Sequence, residues 1–278
     1  MSTEPKRPPF DSNRAWTDAA NMVTANRDLL LALAGVFLVV PAFAVAMLLP
    51  PPQPAGGADF QTMLAPFGEY YRNNAVVLVA MALFQMIGTL SILALFTDTR
   101  RPTVGEAIRQ GFRYTPTAIA AQLILGMAIG AMVMLPIMLG GATKSFGFTV
   151  LGFLAAVVLG IWAWVRLSLV APAVIVDRLA NPFRALERSW RLTEGQVLRL
   201  LVFFILVLIG FVVVMLVAEG VTRLLLALVA SAKTTDIVAT LVGTLMQAVM
   251  SVYFVAIAAA CHRQLAGPSV QSMVDKFE

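Results

Sequence analysis

Charge, cysteine and histidine are all scarce in this sequence of 278 residues. Charged residues make up 13% of the chain, whereas an ordinary soluble domain carries about 25%. A water-soluble protein of this size could not cover its surface with so few ionised groups, which excludes a soluble enzyme and a disordered tail. One cysteine, Cys261, and one histidine, His262, exclude a disulfide framework and a His- or Cys-rich metal site. We expect no metal, no cofactor and no catalytic residue.

The sequence is instead rich in long runs of apolar residues. The chain is 59% apolar, with a mean hydropathy of +0.85. Six apolar runs are long enough to cross a hydrocarbon core of about 30 Å as helices, and helices satisfy their own backbone hydrogen bonds in lipid. The sequence therefore predicts an all-α membrane protein with a single transmembrane domain, 1–278, in which six helices form three helical hairpins. The predicted spans are 29–49, 75–96, 117–139, 148–176, 197–218 and 237–261.

The basic residues are concentrated on one side of these spans. Fifteen of the twenty Lys and Arg lie in the two terminal tails and in the connections after the second and fourth spans, four lie on the other side, and Arg166 lies within a span. The positive-inside rule then places both termini in the cytoplasm. The net charge of +5 is explained by topology and lipid contact, so we expect no nucleic-acid partner. A composition rich in Arg and Ala is the usage of a GC-rich bacterial genome, which indicates the bacterial inner (cytoplasmic) membrane.

The two inner connections resemble each other. Residues 107–115, AIRQGFRYT, align without gaps with residues 185–193, ALERSWRLT. Both have apolar residues at helical spacing and arginines on the other face, the pattern of an amphipathic helix in the membrane interface. A weaker copy around Trp16 precedes the first span, so we predict three repeats in which a cytoplasmic amphipathic helix precedes a hairpin. The repeats span about 10–97, 98–177 and 178–265, and flexible cytoplasmic tails flank them at 1–10 and 266–278.

The second inner connection also carries a family motif. Residues 166–177 followed by 181–195, NPFRALERSWRLTEG, resemble the bacterial glycerophosphoryl diester phosphodiesterase membrane-domain family. The segment 258–265, AAACHRQL, is similar to the ending of that family, with Cys-His where a pair such as Leu-Tyr is usual. Some members carry a phosphodiesterase domain after such a membrane unit. Because this chain ends at Glu278, shortly after its last span, the resemblance implies a membrane unit without hydrolase activity.

Arg166 is the most informative candidate for a functional residue. It precedes Asp177 by 11 positions, which at 1.5 Å per residue places it roughly 15 Å below the inner surface. An ionisable group at that depth indicates a functional site. The competing interpretation is that Pro172 bends the helix and that Arg166 reaches the interface beside Trp162 and Trp164. The candidate lipid or substrate contacts are Arg166, Arg109, Arg113, Arg184, Arg188, Trp190 and Arg191.

Other polar residues within the spans have two interpretations. Gln85, Gln122 and Gln247 lie in the second, third and sixth spans and form either an intramembrane polar site or hydrogen bonds between helices. Glu219 and Arg223 are four residues apart, which places them on one helix face and predicts a structural ion pair.

The sequence favours a non-enzymatic bacterial inner-membrane protein with an organising or regulatory role at the cytoplasmic leaflet. Its expected partners are membrane lipids with anionic headgroups, and a second copy of the chain or another membrane protein is a further possible partner. The alternative is a transporter or channel for a small molecule or lipid, with a polar site near Arg166. That alternative requires a cavity that reaches Arg166.

Overall fold

The computed structural model describes residues 10–52, 60–97, 103–143 and 145–266, with the side chains of 60–64 left out. These residues form α-helices joined by short connections, and the described ranges contain no strand. A π-helical segment, Gly35–Val39, joins the second helix to the third. The helices are α1 (Ser12–Ala25), α2 (Arg27–Ala34), α3 (Val40–Leu48), α4 (Phe60–Thr97), α5 (Val104–Thr143), α6 (Phe146–Leu167), α7 (Val170–Val176), α8 (Pro182–Leu192), α9 (Val197–Ala227) and α10 (Ala232–Ala266).

Six helical stretches in the described residues are long and apolar enough to cross a membrane, which confirms the predicted class and the predicted number of spans. The first consists of α2, the π-helical segment and α3, and the fourth consists of α6 and α7. The chain is therefore a multi-pass membrane protein. The stretches are Arg27–Leu48, Ala65–Thr97, Val104–Thr143, Phe146–Val176, Val197–Ala227 and Ala232–Ala266.

The two aligned segments do not form the same structure. Residues 104–115 are the first turns of α5 and not a separate interfacial helix, whereas α8 is a separate helix. Gly111 lies directly against Ser91 of α4, with no room for a Cβ atom between them, so the start of α5 packs along α4. After α8, Gly195 has a φ of +74°, a left-handed conformation that ends a helix easily. The aligned position before the third span is Thr117, and there the helix continues.

The N-terminal copy of the segment is α1. The side chain of Asp11 caps its first turn by accepting hydrogen bonds from two backbone N–H groups, and Ala15 and Ala19 are buried against α10. Phe10, the last residue of the predicted flexible N-terminal tail, is buried and lies 5.5 Å from Phe203 between ring centroids. The remainder of that tail, the C-terminal tail beyond Ala266, and position 98, where the predicted second repeat begins, lie outside the described residues.

The buried core lies at one end of the bundle. Buried residues of α1, α6, α8, the start of α9 and the end of α10 form one apolar cluster, and α2, α4 and α10 contribute to a second. Towards the other end, large apolar side chains such as Val76, Leu151 and Leu224 are exposed. In lipid this exposure carries no hydrophobic cost, because lipid tails are as apolar as the side chains. The packed end of the bundle therefore positions the polar groups described next.

A tight turn ends α7 at the packed end. Arg178 has a φ of +51°, and the N–H of Leu179 donates to the carbonyl of Val174 at 3.2 Å. This 6→1 hydrogen bond is that of a Schellman motif, in which the left-handed position is usually glycine. A side chain in this conformation costs roughly 1–2 kcal/mol.

Arg178→Gly tests this strain. We expect the free energy of unfolding to rise by about 0.5–1 kcal/mol, because glycine adopts the left-handed conformation without a Cβ clash. Unfolding of the protein in detergent micelles, followed by circular dichroism, measures the change. The control, Arg109→Gly, lies at an exposed helical position and lowers the stability by about 1 kcal/mol. A glycine variant at position 178 that is less stable than the parent protein contradicts the expected strain.

Candidate functional site

The fourth span is broken between α6 and α7. The first part ends at Leu167 and the second begins at Val170. Pro172 has no backbone N–H, so it cannot donate to the carbonyl of Ser168 four residues earlier. In lipid, the backbone groups freed by a break need partners within the protein, because no water is present to bind them.

Those partners come from α8 and the residue after it. The hydroxyl of Ser189 donates to the carbonyl of Arg166 at 2.8 Å and accepts from the N–H of Leu169 at 3.2 Å. The hydroxyl of Thr193 lies 3.2 Å from the same Arg166 carbonyl. Ser189 and Thr193 are fully buried. Ser189 thus supplies partners for two backbone groups at the break, the Arg166 carbonyl and the Leu169 N–H.

The side chain of Arg166 is held by aromatic residues at the same place. Its Nη1 donates to the carbonyl of Trp190 at 3.0 Å. Its guanidinium carbon lies 4.7 Å from the ring centroid of Trp190 and 5.2 Å from that of Trp162. Its Nε is buried without a hydrogen-bond acceptor in the described part of the chain, so the negative faces of the two indoles surround this cation. Trp164, the other expected neighbour, packs instead against Phe204, with 5.7 Å between the ring centroids.

A second polar cluster joins three elements near the end of α7. Asp177, which follows α7, accepts a hydrogen bond from Nε of Arg188 on α8 at 2.8 Å. Nε2 of His262 on α10 lies 3.3 Å from the same carboxylate oxygen. Only 3% of the His262 side chain and 24% of the Asp177 side chain are exposed. The cluster therefore fastens α8 to α7 and α10.

The pKa of Asp177 reflects these partners. Burial alone raises the pKa of this carboxyl. The hydrogen bonds and positive charges of His262 and Arg188 outweigh burial and hold the pKa below its ordinary value of 3.8. The carboxylate is therefore ionised at neutral pH and acts as a fixed acceptor for both partners.

Apart from Arg166, the five arginines among the predicted lipid or substrate contacts divide into two groups. Arg109 and Arg113 on α5 and Arg184 on α8 are exposed, and none has an acidic partner within 4 Å among the described residues. Arg191 pairs with Glu187 at 2.6 Å. The remaining arginine of the set is the partner of Asp177, so within the described residues three of the five have no ion-pair partner.

The three glutamines are not brought together. A cavity of about 300 Å³ lies between α4, α5, the broken span, α9 and α10, and Gln122 lines it. Gln85 and Gln247 do not line this cavity, and the hydrogen bonds between described residues join no two of the three amides. Arg166 also lies outside the residues that line it. The cavity therefore does not reach the intramembrane arginine as a transport site near Arg166 requires.

The ion pair expected between Glu219 and Arg223 is replaced by a different one. Nη1 of Arg223 lies 3.0 Å from the carboxylate of Asp236 on α10. Glu219 faces α10 and contacts the backbone position of Gly243, where a Cβ atom would collide with the carboxylate. Packing between α9 and α10 places the acidic side chains differently from what spacing along one helix predicts.

Ser189→Ala tests whether the Ser189 hydroxyl stabilises the broken span through its hydrogen bonds to Arg166 and Leu169. We expect a loss of about 1–3 kcal/mol in the free energy of unfolding, because a buried N–H and a buried carbonyl both lose a partner. The control is Ser251→Ala, whose hydroxyl donates to the Gln247 carbonyl of its own helix. Thermal unfolding of the two variants in the same detergent measures the difference. Equal stability of the two variants rules out this role for Ser189.

The lowered pKa of Asp177 predicts a stability that depends on pH. Because the folded-state pKa lies below 3.8, the stabilisation by the carboxylate is fully present above that pH and is lost as the pH falls through the folded-state value. We expect the stability gap between the parent protein and Asp177→Asn to narrow in acid, in melting curves between about pH 2 and pH 7. The control is Asp28→Asn, at a side chain 87% exposed. A gap that stays constant over this range contradicts the expectation.

The contacts above define the site: two hydroxyls complete a broken span, two tryptophans hold the intramembrane arginine, and one carboxylate fastens the short helix α8 to its neighbours. In comparisons with models of protein families, with curated proteins and with solved structures, the chain has no match. Its own residues therefore identify it as a multi-pass membrane protein in which a short helix completes a broken membrane span.

Proposed function

We propose that this protein is a non-enzymatic protein of the bacterial inner membrane that organises or regulates the cytoplasmic leaflet by binding anionic lipid headgroups. The observation that carries the proposal is the set of three exposed arginines without acidic partners among the described residues, Arg109, Arg113 and Arg184. A basic side chain near a membrane surface gains about 1 kcal/mol from anionic lipid. These arginines supply the binding energy in the proposal.

The three arginines belong to one region of the molecule. The hydroxyl of Thr117 on α5 donates to the carbonyl of Ala180 at 3.0 Å, which ties α5 to the connection before α8. Arg113 lies one turn before Thr117, and Arg184 lies about one turn after Ala180. A bond between these two elements supports a shared basic surface.

Exposed aromatic residues accompany the arginines. Phe112 on α5 is 68% exposed and Phe183 on α8 is 66% exposed. Basic and large apolar side chains together are typical of a helix that lies in the interface, with the apolar groups at the level of the acyl chains and the cations at the phosphates. This composition favours lipid over a soluble acidic partner.

The proposal includes the finer architecture that the sequence predicts. In it, the six spans form three hairpins, an amphipathic segment precedes each hairpin, and both termini are cytoplasmic. The asymmetry of Lys and Arg supports the orientation, and packing between α5 and α6 and between α9 and α10 supports two of the hairpins. Relationship to the glycerophosphoryl diester phosphodiesterase membrane-domain family is part of the same proposal. Its support is the structural use of the motif residues Ser189 and Thr193.

A variant with Arg109→Gln, Arg113→Gln and Arg184→Gln tests the headgroup contact. We expect its preference for phosphatidylglycerol over phosphatidylcholine to fall at least tenfold, because each arginine contributes about 1 kcal/mol. The probe is the ratio of the two dioleoyl lipids that stay bound after extraction from mixed nanodiscs, measured by native mass spectrometry. The control variant, Arg72→Gln with Lys233→Gln, removes exposed charges from the opposite side of the proposed topology.

A separate variant distinguishes binding from stability. Arg188 is engaged by Asp177, so Arg188→Gln lowers the unfolding temperature and leaves the lipid preference unchanged. If the triple variant keeps the parent preference, or if the control variant loses as much, the proposed headgroup contact is wrong.

A further inference from the structure

Two adjoining cavities lie between the broken span, α5 and α8. The first, of about 300 Å³, is enclosed by five membrane-spanning helices and one residue of α8. The second, of about 260 Å³, lies between α5 and α8 beside Leu167. Leu125, Leu167 and Leu186 line both cavities. The pair therefore forms one path from the interior of the bundle to the surface of α8.

The lining of the inner cavity is mostly apolar, with Gln122, Thr89 and Ser168 among its polar residues. Its hydroxyl groups are satisfied by their own helices, since Thr89 donates to the Gln85 carbonyl at 2.9 Å and Ser168 donates to the Val165 carbonyl at 2.8 Å. Cavities with mainly apolar walls accommodate apolar ligands. Because the walls are membrane-spanning helices, the surrounding apolar molecules are lipids.

The outer cavity is different in character. Glu187 and Trp190 of α8 line it, and Glu187 forms an exposed ion pair with Arg191 at 2.6 Å. The mouth thus has an indole ring and a pair of opposite charges. Such groups are favoured at the level of the glycerol and headgroup of a phospholipid. The path therefore has an apolar interior and a polar mouth, as an amphiphile has.

We infer that the two cavities bind one acyl chain of a phospholipid, inserted from the bilayer between α5 and α8, with its headgroup beside the Glu187–Arg191 ion pair. The site goes beyond the headgroup contact proposed above, because it recognises a chain inside the protein and uses none of the three unpaired arginines. Leu125 lines both cavities, so a larger side chain at this position should obstruct entry of the chain.

Leu125→Trp tests this site. The larger side chain fills the junction of the cavities and should weaken retention of the chain at least tenfold. The matched control is Leu123→Trp, two residues away on the same helix, where the side chain is 61% exposed and lines neither cavity. The probe is dioleoylphosphatidylethanolamine in detergent solution. Native mass spectrometry counts the molecules that survive removal of loosely bound lipid.

The expected result is one retained lipid in the parent protein and in Leu123→Trp, and none in Leu125→Trp. If Leu125→Trp loses its helical circular dichroism, Ala258→Leu takes its place, since Ala258 lines the inner cavity and is half-buried. Equal retention by the cavity-filling and control variants overturns the inference. Displacement of the dioleoyl lipid by an equal concentration of dihexanoylphosphatidylethanolamine also overturns it, because the headgroup would then be the recognised part.

These experiments distinguish the acyl-chain site from the headgroup contact proposed above. The triple arginine variant leaves the cavity unchanged, so it should retain the same single phosphatidylethanolamine molecule. Loss of that lipid in the triple variant, with its fold intact, contradicts a site built on the acyl chain and leaves only the headgroup contact.

Discussion

A membrane span that breaks must find partners inside the protein for the backbone groups that it frees, and in this protein a single short helix provides them. The carbonyl of Arg166 and the N–H of Leu169 both bond to the hydroxyl of Ser189. An unsatisfied backbone group in lipid costs several kcal/mol. Separating α8 from the broken span would therefore cost a comparable free energy. The position of α8 thus follows from a hydrogen-bonding requirement of the fourth span.

The attachment of α8 to the broken span decides which arginines of α8 form ion pairs and which stay exposed. With Ser189 buried against the break, Arg188 comes within 2.8 Å of Asp177, and α10 brings His262 to the same carboxylate. Residues on the outer face of α8, among them Arg184, remain exposed. Arginines that look equivalent in the sequence are therefore of two kinds, those that hold the helix in place and those that face the surroundings.

The parts of this structure that depend on local sequence could be predicted, and the parts that depend on distant contacts could not. Apolar runs of span length are local, so the six spans were predictable. The aligned segments were predictable as helices, but not that the first continues into its span while α8 ends at Leu192; the left-handed Gly195 follows α8, whereas helical Thr117 stands at the aligned position. The bond between Asp177 and His262 joins residues 85 positions apart, and no periodicity indicates it. Likewise, four-residue spacing suggested Glu219 as the partner of Arg223, but the antiparallel neighbour supplies Asp236.

The short helix has an exposed side and a side that packs against the protein, and both belong to the same rigid element. Leu186 and Trp190 of α8 line the cavities against α5, while the carbonyl of Trp190 holds the guanidinium of Arg166 in the broken span. A helix bound through so many buried contacts keeps its exposed arginines at a fixed depth relative to the span. A binding surface that is already positioned loses less conformational freedom on binding than one that must first be ordered. The same hydrogen bonds that hold α8 against the fourth span therefore also fix the position of its exposed basic face.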